Sequence, residues 1–179
     1  MSWKEDYYRM TGKVYFFSLK NLIWILCSHQ ILYMIIYRKV VMNSSFLCRF
    51  FLHCLSKRYG LEISPKAIIG KGLYLGHAYN ITVASEVQIG NNVNLHKGCT
   101  VGRENRGKRK GVPVIGNNVY VGINATVVGN IHIGNDVLLI APNSFVNFDV
   151  PDHSIVIGNP AQIHYKENAT QGYIGFCIR

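Results

Sequence analysis

Charge is scarce in this chain, and acid scarcest of all. Of 179 residues, 16% are Asp, Glu, Lys or Arg against 49% apolar, and nine acids face 19 bases. So little polar cover implies buried interfaces between copies rather than a free monomer. The shortage is uneven: residues 1–60 hold nine bases and two acids (+7), residues 61–179 ten and seven (+3). A basic, apolar N-terminal part fits an anionic surface such as a membrane leaflet, and equally a solvated basic face.

Metal-ligand spacings are missing as well. Cys27, Cys48, Cys54, Cys99 and Cys177 are odd in number and stand at no zinc-type interval, so no metal and a reducing, cytoplasmic setting are expected. No short apolar block precedes a small-residue cleavage site, so no cleavable signal peptide is expected. Proline and glycine are absent from residues 14–55, which leaves helix uninterrupted there. The longest apolar run, Asn21 to Tyr37, contains Ser28-His29-Gln30 and sits at the lower length margin for a spanning helix. Two or three helices, packed together or lying in a membrane interface, are expected instead. Asn43-Ser44-Ser45 reads as a break with an N-cap, and Tyr59-Gly60 as the end of the helical part.

What the chain does have is a period of six. Ile69, Leu75, Ile81 and Val87 form one run. Val83, Ile89, Leu95 and Val101 form a second, offset by two, and Ile115, Val121, Val127, Ile133, Leu139 and Phe145 a third. Six is the period neither of a strand nor of a helix; it is that of a hexapeptide solenoid, each hexad one side of a triangular coil. Gly90-Asn91-Asn92, Gly116-Asn117-Asn118, Gly129-Asn130 and Gly134-Asn135 read as corners that need positive φ. The expected fold is mainly β: a left-handed parallel β-helix over 61–165, behind a small α-helical, apolar and basic region over 1–60. Cys99 falls on an inward position as a small core filler. Residues 103–112 break the register with five bases, one acid and an external loop's composition. Residues 166–179 lack periodicity and read as a loose tail.

Several motifs sharpen this. Leu61-Glu62-Ile63, Ile69-Gly70-Lys71-Gly72, Gly76-His77-Ala78, Thr100-Val101-Gly102, Val150-Pro151-Asp152-His153 and Gly158-Asn159-Pro160-Ala161 make the stretch from Gly60 to about Ile163 resemble the serine acetyltransferase group of hexapeptide acyltransferases. It looks still closer to the short relatives that O-acetylate bacterial exopolysaccharides, such as the colanic acid acetyltransferase. The resemblance implies that His77 is a general base, deprotonating an acceptor hydroxyl as it attacks a thioester. It makes Glu62, at the family's usual Asp position, the partner that fixes the imidazole tautomer. Without the motif, His77 would read as an ordinary corner histidine.

The donor implied is acetyl-CoA. Its pantetheine arm would lie between two subunits of a homotrimer, against Thr100, Gly102, Arg103, Gly122, Ile123 and Ala141, where backbone N–H groups could receive an oxyanion. Arg106, Lys108, Arg109, Lys110 and Lys166 are candidates for the CoA phosphates, although a merely solubilising loop has the same composition. His96 follows an inward residue on the next rung and lines the cleft with Gly76 as a substrate candidate. His29 and His53 read as helix-face residues, and His132, His153 and His164 as outward or turn residues. The related zinc hydratases show a histidine pair five apart, which this chain lacks. Nucleic acid is not expected, because the basic loop has no interleaved aromatics.

Two departures bear on the acceptor. Serine acetyltransferases carry an acid immediately before the base and an Arg-His pair before the proline matching Pro113; this chain has Gly76 and Gly111-Val112. Losing those grips on an amino acid's charges points to a sugar hydroxyl of a bacterial surface polysaccharide or its precursor. Serine O-acetylation is the alternative, and a catalytically dead scaffold the reading from another class. Whether the helices pair trimers into hexamers or touch the inner membrane is left open by sequence.

Overall fold

The computed structural model describes residues 3–43, 45–139 and 142–178. Four helices, α1 (Trp3–Thr11), α2 (Leu19–Cys27), α3 (His29–Met42) and α4 (Phe46–Tyr59), precede a three-sided parallel β-solenoid. Face A stacks β1 (Glu62–Ile63), β4 (Thr82–Val83), β7 (Thr100–Gly102), β10 (Thr126–Val128) and β13 (Phe145–Val146). Face B stacks β2 (Ile68–Ile69), β5 (Gln88–Ile89), β8 (Val114–Ile115) and β11 (His132–Ile133). Face C stacks β3 (Tyr74–Gly76), β6 (Asn94–His96), β9 (Val119–Val121), β12 (Val137–Leu139) and β14 (Ser154–Ile157). An antiparallel strand, β15 (Gln162–Tyr165), closes face C.

The period of six is the spacing of inward side chains. Ile63, Ile69 and Leu75, then Val83, Ile89 and Leu95, point into the prism and are buried. A second set two residues earlier, including Leu61, Leu73, Ile81, Val87 and Cys99, is buried as well. Each large aliphatic contributes roughly 1.5–3 kcal/mol by leaving water. Burial pushes the Cys99 thiol up to about 12, so it is an inert filler. Phe145 departs from its expected inward place and is 40% exposed, because Val127 pairs with Val146, one residue beyond an 18-residue coil.

Register also explains the offset between the first two runs. Coil one pairs with coil two at a spacing of 20 (Ile63 with Val83, Leu75 with Leu95), whereas Val83 pairs with Val101 at 18. Two extra residues therefore sit in the first corner from face C to face A, which carries His77. Val101 pairs with Val127 at 26, and the eight extra residues are the external loop.

The glycines of the B-to-C corners have a different cause from the one expected. Positive φ falls on Asn92, Asn118 and Asp136, not on Gly90, Gly116 or Gly134. Glycine is needed because the corners stack too closely for a side chain: a Cβ at Gly70 would lie 2.6 Å from Gly90 O, and one at Gly90 2.6 Å from Gly116 O. Asparagine then ladders up the edge, Asn91 Oδ1 accepting from Lys71 N–H (2.8 Å) and Asn117 Oδ1 from Asn91 N–H (2.7 Å).

The helices cap the open end of coil one, as a solenoid requires. Tyr33 and Tyr37 hydroxyls donate to Leu61 O (3.0 Å) and Ser64 O (3.1 Å). Arg38 on α3 donates to Ile69 O and Gly70 O and forms a buried pair with Asp6 on α1 (2.7 Å), whose carboxylate also accepts from Leu73 N–H. Removing one member of such a pair costs about 3–5 kcal/mol. The apolar run 21–37 is not one helix: α2 and α3 meet at Ser28 at 95°. Among the described residues no single helix is long and apolar enough to cross a membrane. Gly60 ends α4 in the left-handed conformation, as expected.

The C-terminal segment is not loose. Asp136 accepts from Ala169 N–H, Thr170 N–H and Thr170 Oγ1 (2.8, 2.9 and 2.6 Å). Asn92 exchanges two bonds with the backbone of Ile178, and Arg9 donates to Gly175 O. Residues 169–178 are thereby strapped across face C.

Candidate active site

The inserted corner places His77 on the edge between faces C and A. Its backbone is left-handed (φ 48°) and its side chain is exposed. Such a conformation costs free energy in a non-glycine residue and needs external support. Here the support comes from the helices. His29 Nε2 lies 3.1 Å from Ala78 O, and its ring stacks on Tyr59 at 4.3 Å and meets Tyr79 at 4.8 Å. Asn80 N–H donates to Tyr59 O (3.0 Å). His29, read from sequence as a helix-face residue, is therefore a buttress of this corner; only the topology reveals it.

Next to His77 stands His96, last residue of β6, paired in register with Gly76. A Cβ at Gly76 would collide with the His96 ring, so Gly76 does not open a cleft; the imidazole of the next coil fills that space. Tyr120 packs on the same ring at 4.4 Å and Tyr74 at 5.9 Å. Burial, with a smaller contribution from neighbouring His77, holds the His96 pKa down at about 4, so the ring is neutral at physiological pH. Its Nε2 is buried with no hydrogen-bond partner among the described residues. Beside it is a cavity of about 360 Å³ lined by Arg9, Tyr74, Asn94, Tyr120 and Tyr173.

Above His77 the C-to-A corners stack. Lys97 N–H donates to Gly76 O, Asn124 N–H to Lys97 O, and Asn143 N–H to Ile123 O. This brings Gly122 and Ile123 onto the His77 edge, with half-buried Thr100 and Gly102 on the adjoining face A. The N–H of Gly122 already donates to Leu139 O (2.9 Å), so it is not a spare oxyanion donor. Ala141 lies outside the described residues.

Other candidates are kept apart. Glu62 is exposed on β1 and lines a groove of about 670 Å³ between α4 and face A, with Arg49, His53, Ser64, Thr82 and Ser85. Among the described residues no hydrogen bond or ion pair joins it to His77 in the single chain. The external loop leaves from the opposite edge of face A, between β7 and β8. It folds back on itself through the Glu104–Gly111 bridge, with Arg106, Lys108, Arg109 and Lys110 in solvent and Arg103 paired to Glu86. Lys166 follows β15 at the far end, held by its N–H to His153 O (2.7 Å). One chain thus assembles His77, His96, Gly76, Gly122 and Ile123 along one edge and leaves the candidate phosphate ligands Arg106, Lys108, Arg109, Lys110 and Lys166 elsewhere; exposed Lys97 is a cation on that edge. Among the described residues no cluster of His, Cys, Asp or Glu could hold a metal ion.

No protein-family model matches the chain. It is 37% identical over 108 residues to a serine acetyltransferase of Helicobacter pylori, covering 60% of this chain and 63% of that one. Among solved structures it is similar to the Neisseria gonorrhoeae serine acetyltransferase in complex with serine (TM-score 0.62, 32% identity, 76% of this chain and 55% of that one). It is likewise similar to a serine acetyltransferase in complex with CoA (TM-score 0.62, 28% identity, 76% and 55%). The chain spans between a third and just under two thirds of the curated relatives it matches.

Proposed function

We propose that this chain is an acetyl-CoA-dependent O-acetyltransferase with His77 as general base. The observation that carries this is the inserted corner: it exposes one imidazole on the edge that Gly122 and Ile123 share, within the stretch similar to serine acetyltransferases. His77 would take the proton of an acceptor hydroxyl as its oxygen attacks the thioester carbonyl, then return a proton to the departing thiolate. A positioned base of this kind is worth about 10²–10⁴ in rate. CoA, present in one of the similar enzymes, would lie along that edge against face A. A second copy would then supply cations to its phosphates, because a chain's own basic loop springs from the wrong edge of face A.

For the acceptor, the named relatives favour serine over the sugar hydroxyl anticipated from sequence, and serine O-acetylation is the leading reading. One observation favours the sugar as a second reading. The place just before the base holds a neutral imidazole instead of a carboxylate, and no Arg-His pair precedes Pro113. Following CoA release with L-serine and with a panel of hexoses, amino sugars and acidic sugars decides between them. Turnover on serine with a KM in the usual micromolar to millimolar range supports the leading reading. Turnover on a sugar alone supports the second, and none on any hydroxyl acceptor removes both.

A further inference from the structure

The helices expose large apolar side chains that neither the solenoid nor the proposed reaction uses, on α3 and α4 (Met42, Phe46, Leu47) and, next to flanking lysines, around α2. Between Lys13 and Cys27 the side chains of Phe16, Phe17, Leu19, Ile23, Trp24 and Leu26 are exposed, Phe17 to 79% and Leu19 to 71%. In α2 Ile25 is the buried residue, packed with Tyr7 and Ile31, so the helix touches the rest of the chain along one narrow edge. A contiguous apolar surface of this kind marks an interaction site.

Charge decides what covers it. The helical part has two acids, and neither stands free in solvent: Asp6 is buried beneath Arg38, and Glu5, its side chain 25% exposed, lies 3.9 Å from Lys71 with its Oε2 buried. Lys13 and Lys20 flank the apolar stretch in solvent, and Lys39, Arg49, Lys57 and Arg58 are exposed elsewhere on the helices. An isologous contact with a second copy would gather the bases of both copies at one interface, with no solvent-exposed carboxylate on the helices to receive them. A surface that is apolar, aromatic and basic together complements an anionic bilayer.

We propose that Lys13–Cys27 docks the protein on a bilayer bearing anionic phospholipid headgroups, α2 lying in the plane of the interface. Nine residues of helix extend only about 13 Å, which suits lying in the interface and not crossing it. The Phe, Trp and Leu side chains enter the acyl boundary while the two lysines stay with the phosphates.

Flotation of the full-length protein with vesicles tests this, using phosphatidylcholine alone and phosphatidylcholine mixed with phosphatidylglycerol. The protein is expected to float with the mixed vesicles only, and less as salt is raised. Lys13→Glu/Lys20→Glu should weaken binding by tenfold or more, at about fivefold per lysine. Phe17→Ser/Leu26→Ser should abolish it with helix content and oligomeric size unchanged. In a Trp3→Phe background, Trp24 emission should shift to the blue on adding mixed vesicles, a readout that does not depend on the serine variants folding. Failure to float with either vesicle, or equal flotation with both, overturns the proposal. So does a Phe17→Ser/Leu26→Ser protein that loses an oligomer but still binds vesicles, since the face would then join copies of this chain.

Discussion

The imidazole of His96 occupies the space in which a side chain at position 76 would stand. The two residues are register partners on neighbouring coils, and the ring is packed from its other side by Tyr120. Any larger residue at 76 must push the ring away. Gly76→Ala should therefore destabilise by about 1–3 kcal/mol, as overpacking does, and lower Tm by several degrees in a chain of this size. Thermal unfolding of a double-mutant cycle with His96→Ala checks the cause. The loss should shrink once the ring is gone; an unchanged loss would place the strain elsewhere.

The same burial makes His96 a source of pH-dependent stability. Its folded pKa of about 4 lies below the ordinary 6.5, so folding favours the neutral ring. The contribution is complete above about pH 6.5 and is lost as pH falls towards 4. His96→Gln, which keeps a polar group of similar reach, should flatten the wild-type decline across that window in denaturant titrations. Parallel curves for the two proteins would show that the ring is not held neutral.

Asp136 fastens the C-terminal strap. Burial alone would raise its pKa, but the Thr170 hydroxyl and N–H, His153 and the Ala169 N–H together hold it below the ordinary 3.8. Asp136→Ala removes the acceptor from three bonds made by residues 169 and 170. At about 1.5–3 kcal/mol for a bond to a charged group, amide exchange at Ala169 and Thr170 should quicken tenfold or more while the strands keep their protection. Unchanged exchange there would mean that Arg9 and Asn92 hold the strap unaided.

The prism was legible because its core repeats locally: a buried aliphatic recurs every sixth residue in windows of the solenoid outside the external loop. The corner insertion left a trace in the sequence, the offset of two between the runs Ile69–Val87 and Val83–Val101, but that offset was not read as an insertion and only the strand register identifies it. What the offset does, bringing His96 over Gly76 at a spacing of 20, depends on which residues pair and not on their order. The strap was illegible for a related reason. Its bonds join Ala169 and Thr170 to Asp136 and Ile178 to Asn92, across dozens of residues and without any period. The break of the apolar run 21–37 was legible from polar Ser28-His29-Gln30, although neither proline nor glycine stands there. The corners at 90–92 and 116–118 were read rightly as needing positive φ, but that need falls on Asn92 and Asn118, and close stacking selects Gly90 and Gly116.

His77 carries the proposed reaction. Acetyl transfer from acetyl-CoA to L-serine should be measured side by side for the wild-type protein and His77→Ala, each first shown to have the same oligomeric size and melting behaviour. The prediction is turnover by the wild type and a fall of about 10²–10⁴-fold in the variant. An equally active His77→Ala protein would contradict it.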